Sequence, residues 1–555
     1  MACIGIDLGT THSLITVFQN DSPQLIANVH GKYLTPSVVG VDDNGEMLVG
    51  AVARERLISH PQLTVHAFKR NMGTEKVCQL GPHKFRPEEL SALILKSLKA
   101  DAEAHLDTEV TEAVISVPAY FNDTQRNATI QAAEIAGIQV QRLINEPTAA
   151  ALVYGLADQS DDQKYLVLDL GGGTFDVTIL EYFDGVFEVH ASAGNNHLGG
   201  EDFTEVVMEW LTELFKQHKK TVPPKSQCYQ LAETVKRQLS DQESYELALG
   251  DEQITLSQQE FERRCQPLLN LLREPIVRAM QDASLRPENF DEVVLIGGAT
   301  RMTLFRQFIT KLFKRFPRQS ENPDHVVALG AAIQAGLVQK SEALQELVLT
   351  DVMPYSLGVA IHNETEPDNP LFSPIIERNQ TVPVSRVETY FPVHEDQKEV
   401  HLQVFQGESR YVRNNVKLGE VDVKFGVGEE GKNMDVRFTY DVNGLLEVLV
   451  KSVGQEAKRL VIEQRPGIMS PDQVNDALNN LAQLKVHPRD KEINRALLAR
   501  AERLYEVSLD DKRTYVGNLI DGFNSALASQ DEKIISRARK ELEKLLEQLE
   551  DRSWF

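Results

Sequence analysis

The apolar residues of this chain change their spacing twice, and each spacing predicts a different kind of structure. As far as residue 342, short apolar runs such as Ile4-Gly-Ile6 and Val293-Val-Leu-Ile296 alternate with amphipathic stretches, which predicts an α/β domain. Residues 352–466 alternate apolar and polar positions, as in Val400-x-Leu402-x-Val404, which is typical of the antiparallel strands of a β-sandwich. From residue 467 onward the period is helical. The chain is therefore predicted to be multidomain.

Two of the predicted strands run into glycine-bearing turns of similar composition. The first is Asp7-Leu-Gly-Thr-Thr11 and the second is Asp169-Leu-Gly-Gly-Gly-Thr174. The interval between them, roughly 160 residues, is too long for a solenoid repeat. It instead indicates an internal duplication that produces two similar lobes.

The second half of the chain carries its own local signals. Asn443-Gly444 lies between Val436–Tyr440 and Leu446–Val450 and predicts a β-hairpin, because both turn residues tolerate positive φ. Ser470-Pro471-Asp472-Gln473 combines an N-cap, a first-turn proline and a capping-box glutamine, which predicts the start of a helix. Further helices are predicted around Ile493–Val507, Tyr515–Leu527 and Ile534–Leu549.

The apolar stripe of the last predicted helix has two readings. It consists of Ile535, Ala538, Leu542, Leu545 and Leu549. Packing within a small helical bundle and a face that binds a partner both fit this spacing.

Length and charge limit the function classes. The 555 residues exceed the ~250–300 at which single cores stop growing, so several domains are expected. A formal charge of −24 argues against general affinity for nucleic acid or anionic membranes, so neither is expected as a partner. No stretch approaches the ~20 apolar residues of a membrane span, and the N-terminus lacks the features of an export signal. The four cysteines form no CxxC pair, and reduced thiols in a cytoplasmic protein are expected.

The paired turns favour a polyphosphate ligand. Glycine lets backbone N–H groups approach phosphate oxygens, threonine hydroxyls add donors, and an aspartate at each strand end can hold a hydrated Mg²⁺. One such turn alone would more often be an ordinary strand ending. Two of them, in two related lobes, favour a clamp. The P-loop pattern GxxxxGK[ST] is absent.

Six separate segments resemble signatures of the DnaK-type, or seventy-kilodalton heat-shock, chaperone family, in the family's order. They are Ile4-Gly-Ile-Asp-Leu-Gly-Thr-Thr11, Val117-Pro-Ala-Tyr-Phe-Asn-Asp123, Ile144-Asn-Glu-Pro-Thr-Ala-Ala-Ala151, Leu168-Asp-Leu-Gly-Gly-Gly-Thr-Phe-Asp176, His197-Leu-Gly-Gly-Glu-Asp-Phe203 and Ile296-Gly-Gly-Ala-Thr-Arg301. Within the family the chain most resembles the divergent bacterial HscC-type branch.

The resemblance implies an order of domains. An actin-like, two-lobed α/β ATPase domain would occupy residues 1–342, and an interdomain linker residues 343–351. An antiparallel β-sandwich that binds peptide would occupy 352–466, and a short α-helical lid 467–555. The implied function is that of a cytoplasmic, stress-response chaperone, in which ATP binding and hydrolysis control the grip on extended apolar segments of unfolded proteins.

The resemblance also implies a role for each residue of the nucleotide site. The ligands would be ATP or ADP with Mg²⁺, and K⁺ as an additional ion. Asp7 and Asp176 would hold the hydrated Mg²⁺. The catalytic residues would be Lys69, Glu146, Asp169 and Thr174. The phosphates would be bound by Thr10, Thr11, Gly171, Gly172, Gly173 and Gly200.

Adenine and ribose recognition is implied for a helical face. Spaced at i, i+3, i+4 and i+7, its residues share one side of a helix, which without the resemblance would be taken as solvent-exposed. They are Glu233, Lys236, Arg237 and Ser240. Gly298, Arg301 and Asp324 would oppose them from the other side.

Coupling between the halves is implied for a second group of residues. The segment Leu347, Val348, Leu349 matches the family's docking linker, although a buried edge strand fits the same pattern. Pro118 and Arg126 match the conformational relay. The positions that meet a J-domain co-chaperone, an expected partner, are matched by Arg142, Asn145 and Asp351.

The peptide groove is implied for four residues of the sandwich, for which ordinary core packing is the alternative. They are Tyr390, Val393, Val400 and Leu402.

Three departures from the family pattern concern partners and substrate. The segments Lys69–Pro118 and Phe215–Cys265 are short, which puts dependence on a GrpE-like exchange factor in doubt. His362 falls near a position where the family has Met or Ala over the bound peptide.

Three other function classes compete with the chaperone. An actin-like filament protein and a sugar kinase share the nucleotide fold but need neither the sandwich nor the helical segment. A non-hydrolysing exchange factor derived from a chaperone would lack catalytic positions, and every matched position is present.

Overall fold

A computed structural model provides the coordinates used for the fold. It describes residues 2–157, 163–183, 186–249, 252–319, 322–341, 344, 348–394, 397–425, 433–441, 446–452, 458–461, 489–508, 510–528 and 532–551. No helix within these residues is long and apolar enough to cross a membrane.

The first lobe surrounds a mixed sheet whose central path is β11-β10-β1-β2-β3, with β4 at the edge of β2. Its strands are β1 Cys3–Asp7, β2 His12–Gln19, β3 Ser22–Ile26, β4 Thr35–Pro36, β5 Val38–Val41, β6 Met47–Val49, β7 Thr64–His66, β8 Cys78–Leu80, β9 His83–Phe85, β10 Glu112–Val117 and β11 Gln139–Asn145. Its helices are α1 Ala51–Ser59, α2 Pro87–Leu106, α3 Asp123–Ile135 and α4 Glu146–Ala157.

The second lobe contains a sheet with the order β18-β17-β12-β13-β14-β19. Its strands are β12 Gln163–Leu170, β13 Phe175–Phe183, β14 Val186–Asn195, β15 Ser244–Leu249, β16 Glu252–Ser257, β17 Glu292–Ile296, β18 Arg318–Gln319 and β19 Val348–Leu349. Its helices are α5 Gly200–Gln217, α6 Lys225–Asp241, α7 Gln258–Asp282, α8 Thr303–Phe313 and α9 Val326–Val338.

The two main sheets repeat one topology, as the paired turns predicted. In each lobe the first three strands pair antiparallel, and two later strands extend the sheet in parallel on the other side of the first strand. In the first lobe β10 pairs with β1 and β11 with β10, and in the second lobe β17 pairs with β12 and β18 with β17. Asp7 ends β1, and Asp169 lies near the end of β12. The duplication therefore places both turns at equivalent sheet edges.

The lobes join through α4 and α9, which cross at very close range. A Cβ on Gly330 would lie 1.8 Å from the carbonyl oxygen of Ala149, so glycine is required at this crossing. A buried apolar cluster shared by the two sheets and these helices surrounds it. Each lobe also has its own core. The cleft between the lobes is thus built on a packed base.

The second half begins with a sandwich of two four-stranded sheets, β22-β21-β25-β26 and β24-β27-β28-β29. Its strands are β20 Asp351–Val352, β21 Leu357–Ile361, β22 Leu371–Ile376, β23 Thr381–Val382, β24 Val384–Tyr390, β25 Glu399–Gln406, β26 Val416–Lys424, β27 Met434–Tyr440, β28 Leu446–Ser452 and β29 Lys458–Val461. Strands β27 and β28 pair antiparallel, as the hairpin signal predicted. The turn at 443–444 lies outside the described residues.

The C-terminal segment is helical, with α10 Arg489–Val507, α11 Asp510–Ala528 and α12 Glu532–Asp551. The predicted helix start at Ser470 lies outside the described residues. Leu542 and Leu546 of α12 are buried in a core shared with α10 and α11, which accounts for the apolar stripe as bundle packing. Helix α10 packs on α1 of the first lobe, with Arg495 2.5 Å from Asp42.

Candidate nucleotide site and its connections

The two glycine turns meet face to face between the lobes. A Cβ on Gly172 would lie 2.4 Å from Cγ2 of Thr11, and one on Gly173 would lie 2.8 Å from Cγ2 of Thr10. The N–H of Gly200 donates to the carbonyl of Gly171 at 2.9 Å, which places the start of α5 behind the second turn. The turns therefore bring backbone donors and threonine side chains to one place, as a phosphate clamp requires.

A group of acids and one lysine lies beside these turns. Lys69 is 4% exposed, and its Nζ contacts Oε1 of Glu146 at 2.8 Å. Asp7 accepts the hydroxyl of Ser116 at 2.8 Å, and Asp176 accepts the backbone N–H of Tyr120 at 3.0 Å. The structure thus brings together, from both lobes, the positions predicted to be catalytic and to hold a metal ion.

Burial changes the protonation of these acids. Together with the neighbouring Glu146 carboxylate, which contributes less, it raises the pKa of Asp7 to about 7 and that of Asp176 to about 8. Burial, followed by Glu146 and Asp176, also raises the pKa of Asp169 well above its usual value. One carboxylate oxygen each of Asp169 and Asp176 is buried and has no hydrogen-bond partner among the described residues. Such acids need a cation to remain ionised.

The acid group fits a hydrated Mg²⁺. Carboxylate oxygens are the ligands that Mg²⁺ prefers, and the ion commonly keeps several waters. The unpartnered oxygens of Asp169 and Asp176 offer acceptors to such waters. Among the residues that the structure describes, no three His, Cys, Asp or Glu side chains form a group that could hold an ion.

The predicted adenine face is assembled on α6. Glu233 contacts Lys236 at 2.6 Å and Arg237 at 2.8 Å, and it accepts the hydroxyl of Thr204 at 2.7 Å. Burial alone would raise the pKa of Glu233, but the two cations and the hydrogen bonds lower it to about 2. The Nζ of Lys236 also donates to the carbonyl of Gly200 at 3.0 Å, which joins this face to the phosphate turn.

The opposing adenine residues lie next to the same turn. A Cβ on Gly200 would lie 3.1 Å from Cβ of Ala299, so the segment Gly298–Arg301 borders the phosphate site. Arg301 pairs with Asp324 at 2.9 Å, and a Cβ on Gly298 would approach Asp324 to 2.5 Å. Ser240, the last residue of the α6 face, accepts the hydroxyl of Thr303 through its carbonyl. All seven predicted adenine positions therefore lie around one part of the cleft.

Comparison with known proteins decides the family. The model of the family described as Hsp70 protein matches residues 3–79 and 76–554. The chain belongs to the Hsp70 family. It is 38% identical to the chaperone protein DnaK of Thermosipho melanesiensis over 99% of this chain and 92% of the relative. It is 37% identical to the chaperone protein DnaK of Thermosipho africanus and of Thermotoga maritima, with the same coverage of both chains.

Membership of the Hsp70 family makes this protein an ATP-dependent chaperone and an ATPase. The architecture agrees, since a two-lobed nucleotide domain is followed by a β-sandwich and a helical segment. The filament and sugar-kinase alternatives offer no place for these last two parts. The placement in the HscC-type branch stays a prediction.

The residues of this Hsp70 protein that are predicted to couple its two halves form a chain of contacts. A guanidinium nitrogen of Arg126 donates to Asn145 at 2.6 Å, and Asn145 donates to Asp351 at 2.7 Å. Pro118 precedes the loop whose carbonyls, Ala119 and Phe121, also accept from Arg126. The first lobe is therefore hydrogen-bonded to the first strand of the sandwich segment.

The linker segment forms part of the second lobe's sheet. Val348 and Leu349 pair in parallel with Val186 and Phe187 of β14, and Leu349 packs against the core shared by the lobes. Leu347 lies outside the described residues. Arg142 is on β11, where burial lowers its pKa and the nearby Asp351 opposes that shift.

Sequence reasoning missed a second interface between the nucleotide domain and the sandwich. Tyr120 and Tyr355 have ring centroids 4.4 Å apart. Arg378 bridges Asp282 of α7 at 2.7 Å and Glu408 at 2.6 Å. These partners are far apart in the sequence and carry no local motif. The only signal in the sequence is the residue types themselves, aromatic rings that can stack and opposite charges that can pair.

The four predicted groove residues differ in their surroundings. Leu402 is 3% exposed and belongs to the sandwich core, which matches the core alternative at this position. Val400 and Tyr390 are half-buried against that core, and the Tyr390 hydroxyl contacts Ser373 at 3.0 Å. Val393 is 50% exposed. The four side chains thus range from the core to half exposed, and their role in peptide binding stays a prediction.

Proposed function

We propose that the nucleotide between the lobes sets how tightly the β-sandwich holds extended apolar peptide, through the segment that joins the two. The observation that supports this most is the position of Val348 and Leu349 as a strand of the nucleotide domain's own sheet. The next residue but one, Asp351, is bonded to Asn145 of the first lobe. A change in the angle between the lobes would therefore act directly on the start of the sandwich.

In the proposed hydrolysis, positioned charges act on ATP. Lys69 neutralises charge on the terminal phosphate, while Glu146 and Asp169 orient a water. The water oxygen attacks the γ-phosphorus as the bond to the β,γ-bridging oxygen breaks. The bond electrons leave with ADP, and the water's proton passes to the phosphate product or to solvent. The hydroxyl of Thr174 donates to the phosphates.

The ions and the nucleotide contacts are part of the same proposal. Mg²⁺, when bound, supplies positive charge to the phosphates and keeps the buried acids ionised. Asp7 and Asp176 would hold it through water, and K⁺ is proposed as a further ion. Phosphate and adenine contacts are assigned to the residues that surround the glycine turns and the face of α6, as predicted above.

The proposed partners are unfolded polypeptides and a J-domain co-chaperone, and the proposed location is the cytoplasm. Arg142, Asn145 and Asp351 would contribute to the J-domain surface. Dependence on a GrpE-like exchange factor stays in doubt because two segments are short. The domain boundaries 1–342, 343–351, 352–466 and 467–555 are proposed on the same basis.

Fluorescence anisotropy of a labelled apolar peptide tests the proposal. With ATP and Mg²⁺ we expect the peptide to dissociate at least about tenfold faster than with ADP, because ATP must bind the two conformations unequally to shift them. The control uses ADP in both arms. Equal peptide dissociation with either nucleotide would rule out nucleotide control.

A further inference from the structure

Arg70 follows Lys69 in the sequence, and the family resemblance implies no role for it. The two residues share the short 3-10 segment Phe68–Asn71, which follows Ala67 in the left-handed region at φ 53°. Lys69 turns toward Glu146 in its own lobe. Arg70 instead crosses the cleft, and its guanidinium contacts Asp202 of α5 at 2.5 Å. One turn of backbone therefore sends two neighbouring cations in different directions.

Arg70 lies flat against the second phosphate turn. A Cβ on Gly173 would lie 2.7 Å from Nε of Arg70 and 3.1 Å from its Cγ. The backbone of Gly173 is thus directly beneath the guanidinium stem. The place where phosphate oxygens approach this turn is also the place that Arg70 covers.

Within the part of the chain that the structure describes, the Nε–H of Arg70 has no acceptor. The atom is buried and without a hydrogen-bond partner, although the other end of the guanidinium is paired with Asp202. A buried donor left unpaired destabilises the folded protein, and more so when the group is charged. An oxygen supplied by a ligand at the Gly173 turn would remove this cost.

We propose that Arg70 donates its Nε–H to an oxygen of the terminal phosphate and is a second cation of the catalytic site, beside Lys69. The guanidinium fork permits this, since one nitrogen holds Asp202 while Nε faces the phosphate. The inference rests on the proposed placement of the phosphates at the Gly171–Gly173 turn. Arg70 belongs to the first lobe and Gly173 to the second, so this contact forms only when the cleft is closed.

A purely structural role for Arg70 makes a different prediction. If Arg70 only ties the lobes together through Asp202, then removing either partner should have the same effect. If Arg70 also binds phosphate, its loss should exceed the loss of the pair. Asp202→Asn is the matched variant, because it removes the negative charge of the ion pair, as Arg70→Gln removes the positive one, while its amide oxygen can still accept the N–H of Gly199, which Asp202 accepts at 2.6 Å.

The test measures binding of inorganic phosphate to the full-length, ADP- and Mg²⁺-loaded protein by titration calorimetry. We expect Arg70→Gln to weaken phosphate binding at least about tenfold and to slow single-turnover hydrolysis about a hundredfold, by analogy with loss of one preorganised donor. Asp202→Asn should change both by less than about threefold. Equal effects of the two variants, or unchanged phosphate affinity in Arg70→Gln, would overturn the inference.

Two controls separate the possible failures. Lys69→Ala should nearly abolish hydrolysis, and if it does so while Arg70→Gln does not slow hydrolysis, only the role of Arg70 is refuted. If neither variant slows hydrolysis, the proposed site itself is refuted. Should Arg70→Gln lower the melting temperature, Arg70→Lys takes its place, because it keeps the cation near Asp202 while lacking Nε–H. Arg70→Lys is likewise expected to bind inorganic phosphate more weakly than the unchanged protein.

Discussion

At the residue scale, the buried carboxyl group of Asp176 suits ligand binding but lowers the stability of the folded protein. It is fully buried, and burial followed by Glu146 raises its pKa from 3.8 to about 8. The folded protein therefore holds a proton that the unfolded chain releases between about pH 4 and pH 8. Through this window the free energy of unfolding falls as pH rises. Residues of this kind are typical of functional sites, where buried charge is kept for its chemistry.

Asp176→Asn should accordingly stabilise the protein without nucleotide or Mg²⁺. Asparagine cannot ionise, so we expect the melting temperature to rise at pH 8 and the gain to be smaller at pH 5, measured by calorimetry. ATP hydrolysis in the presence of Mg²⁺ should be lost in the same variant. Asp43→Asn is the control, because that side chain is 76% exposed. A shift of equal size at both pH values would contradict the argument.

At the scale of elements, the short strand β19 has a larger consequence than its length suggests. Two residues pair with β14, and Thr350 adds a backbone hydrogen bond to Phe187 at 2.9 Å. Leu349 contributes the apolar contact with the core shared by the lobes. Because β19 is held by only a few contacts, these contacts can form and break during a working cycle, as expected of elements that move.

Leu349→Asp should uncouple the two halves. A carboxylate at this half-buried position opposes docking of the strand, because a charge loses hydration there. We expect peptide to stop accelerating single-turnover ATP hydrolysis, while basal hydrolysis remains within about threefold. Gln217→Asp, an exposed position on α5, is the control for added charge. If peptide still accelerates hydrolysis in Leu349→Asp, the linker assignment fails.

At the scale of the whole molecule, the sandwich and the helical segment both lean on the nucleotide domain. Tyr355 and Arg378 attach the sandwich to Tyr120 and Asp282. The helical segment is attached at the first lobe, where Arg495 contacts Asp42. In this arrangement the sandwich and the helical segment are docked at separate surfaces of the nucleotide domain.

Reversing one of these ion pairs should test that docking. Arg495→Asp places like charges together at a pair whose side chains are 22% and 8% exposed, so α10 should separate from the first lobe. Energy transfer between labels on α10 and α1 with ATP should fall, and Asp42→Arg in the same chain should restore it. Arg537→Asp, at an exposed position, is the control. No recovery in the double variant would contradict a direct pairing.

Local pattern predicted most of the elements of this protein. The apolar runs at β1, β10, β12 and β17 are strands, and the period-two segments at β25 to β28 pair as expected. The two glycine turns of the candidate nucleotide site were also recognisable, because each turn is a short contiguous stretch of the sequence. The pattern left two choices open, namely which strand Val348 and Leu349 would pair with and whether Leu402 would lie in the core or in the groove, since each depends on residues far away in the chain.

The sequence by itself determined the periodicities, the duplicated turns and the residue types that phosphate chemistry needs, because these are properties of short stretches. Only the tertiary structure decided that Arg70 crosses to Asp202, that Val348 and Leu349 join the sheet, and that α10 rests on α1. Each of these contacts joins surfaces that no local pattern distinguishes from solvent-exposed faces. Their partners are chosen by the shape and charge of the folded domains, which exist only once the chain has packed.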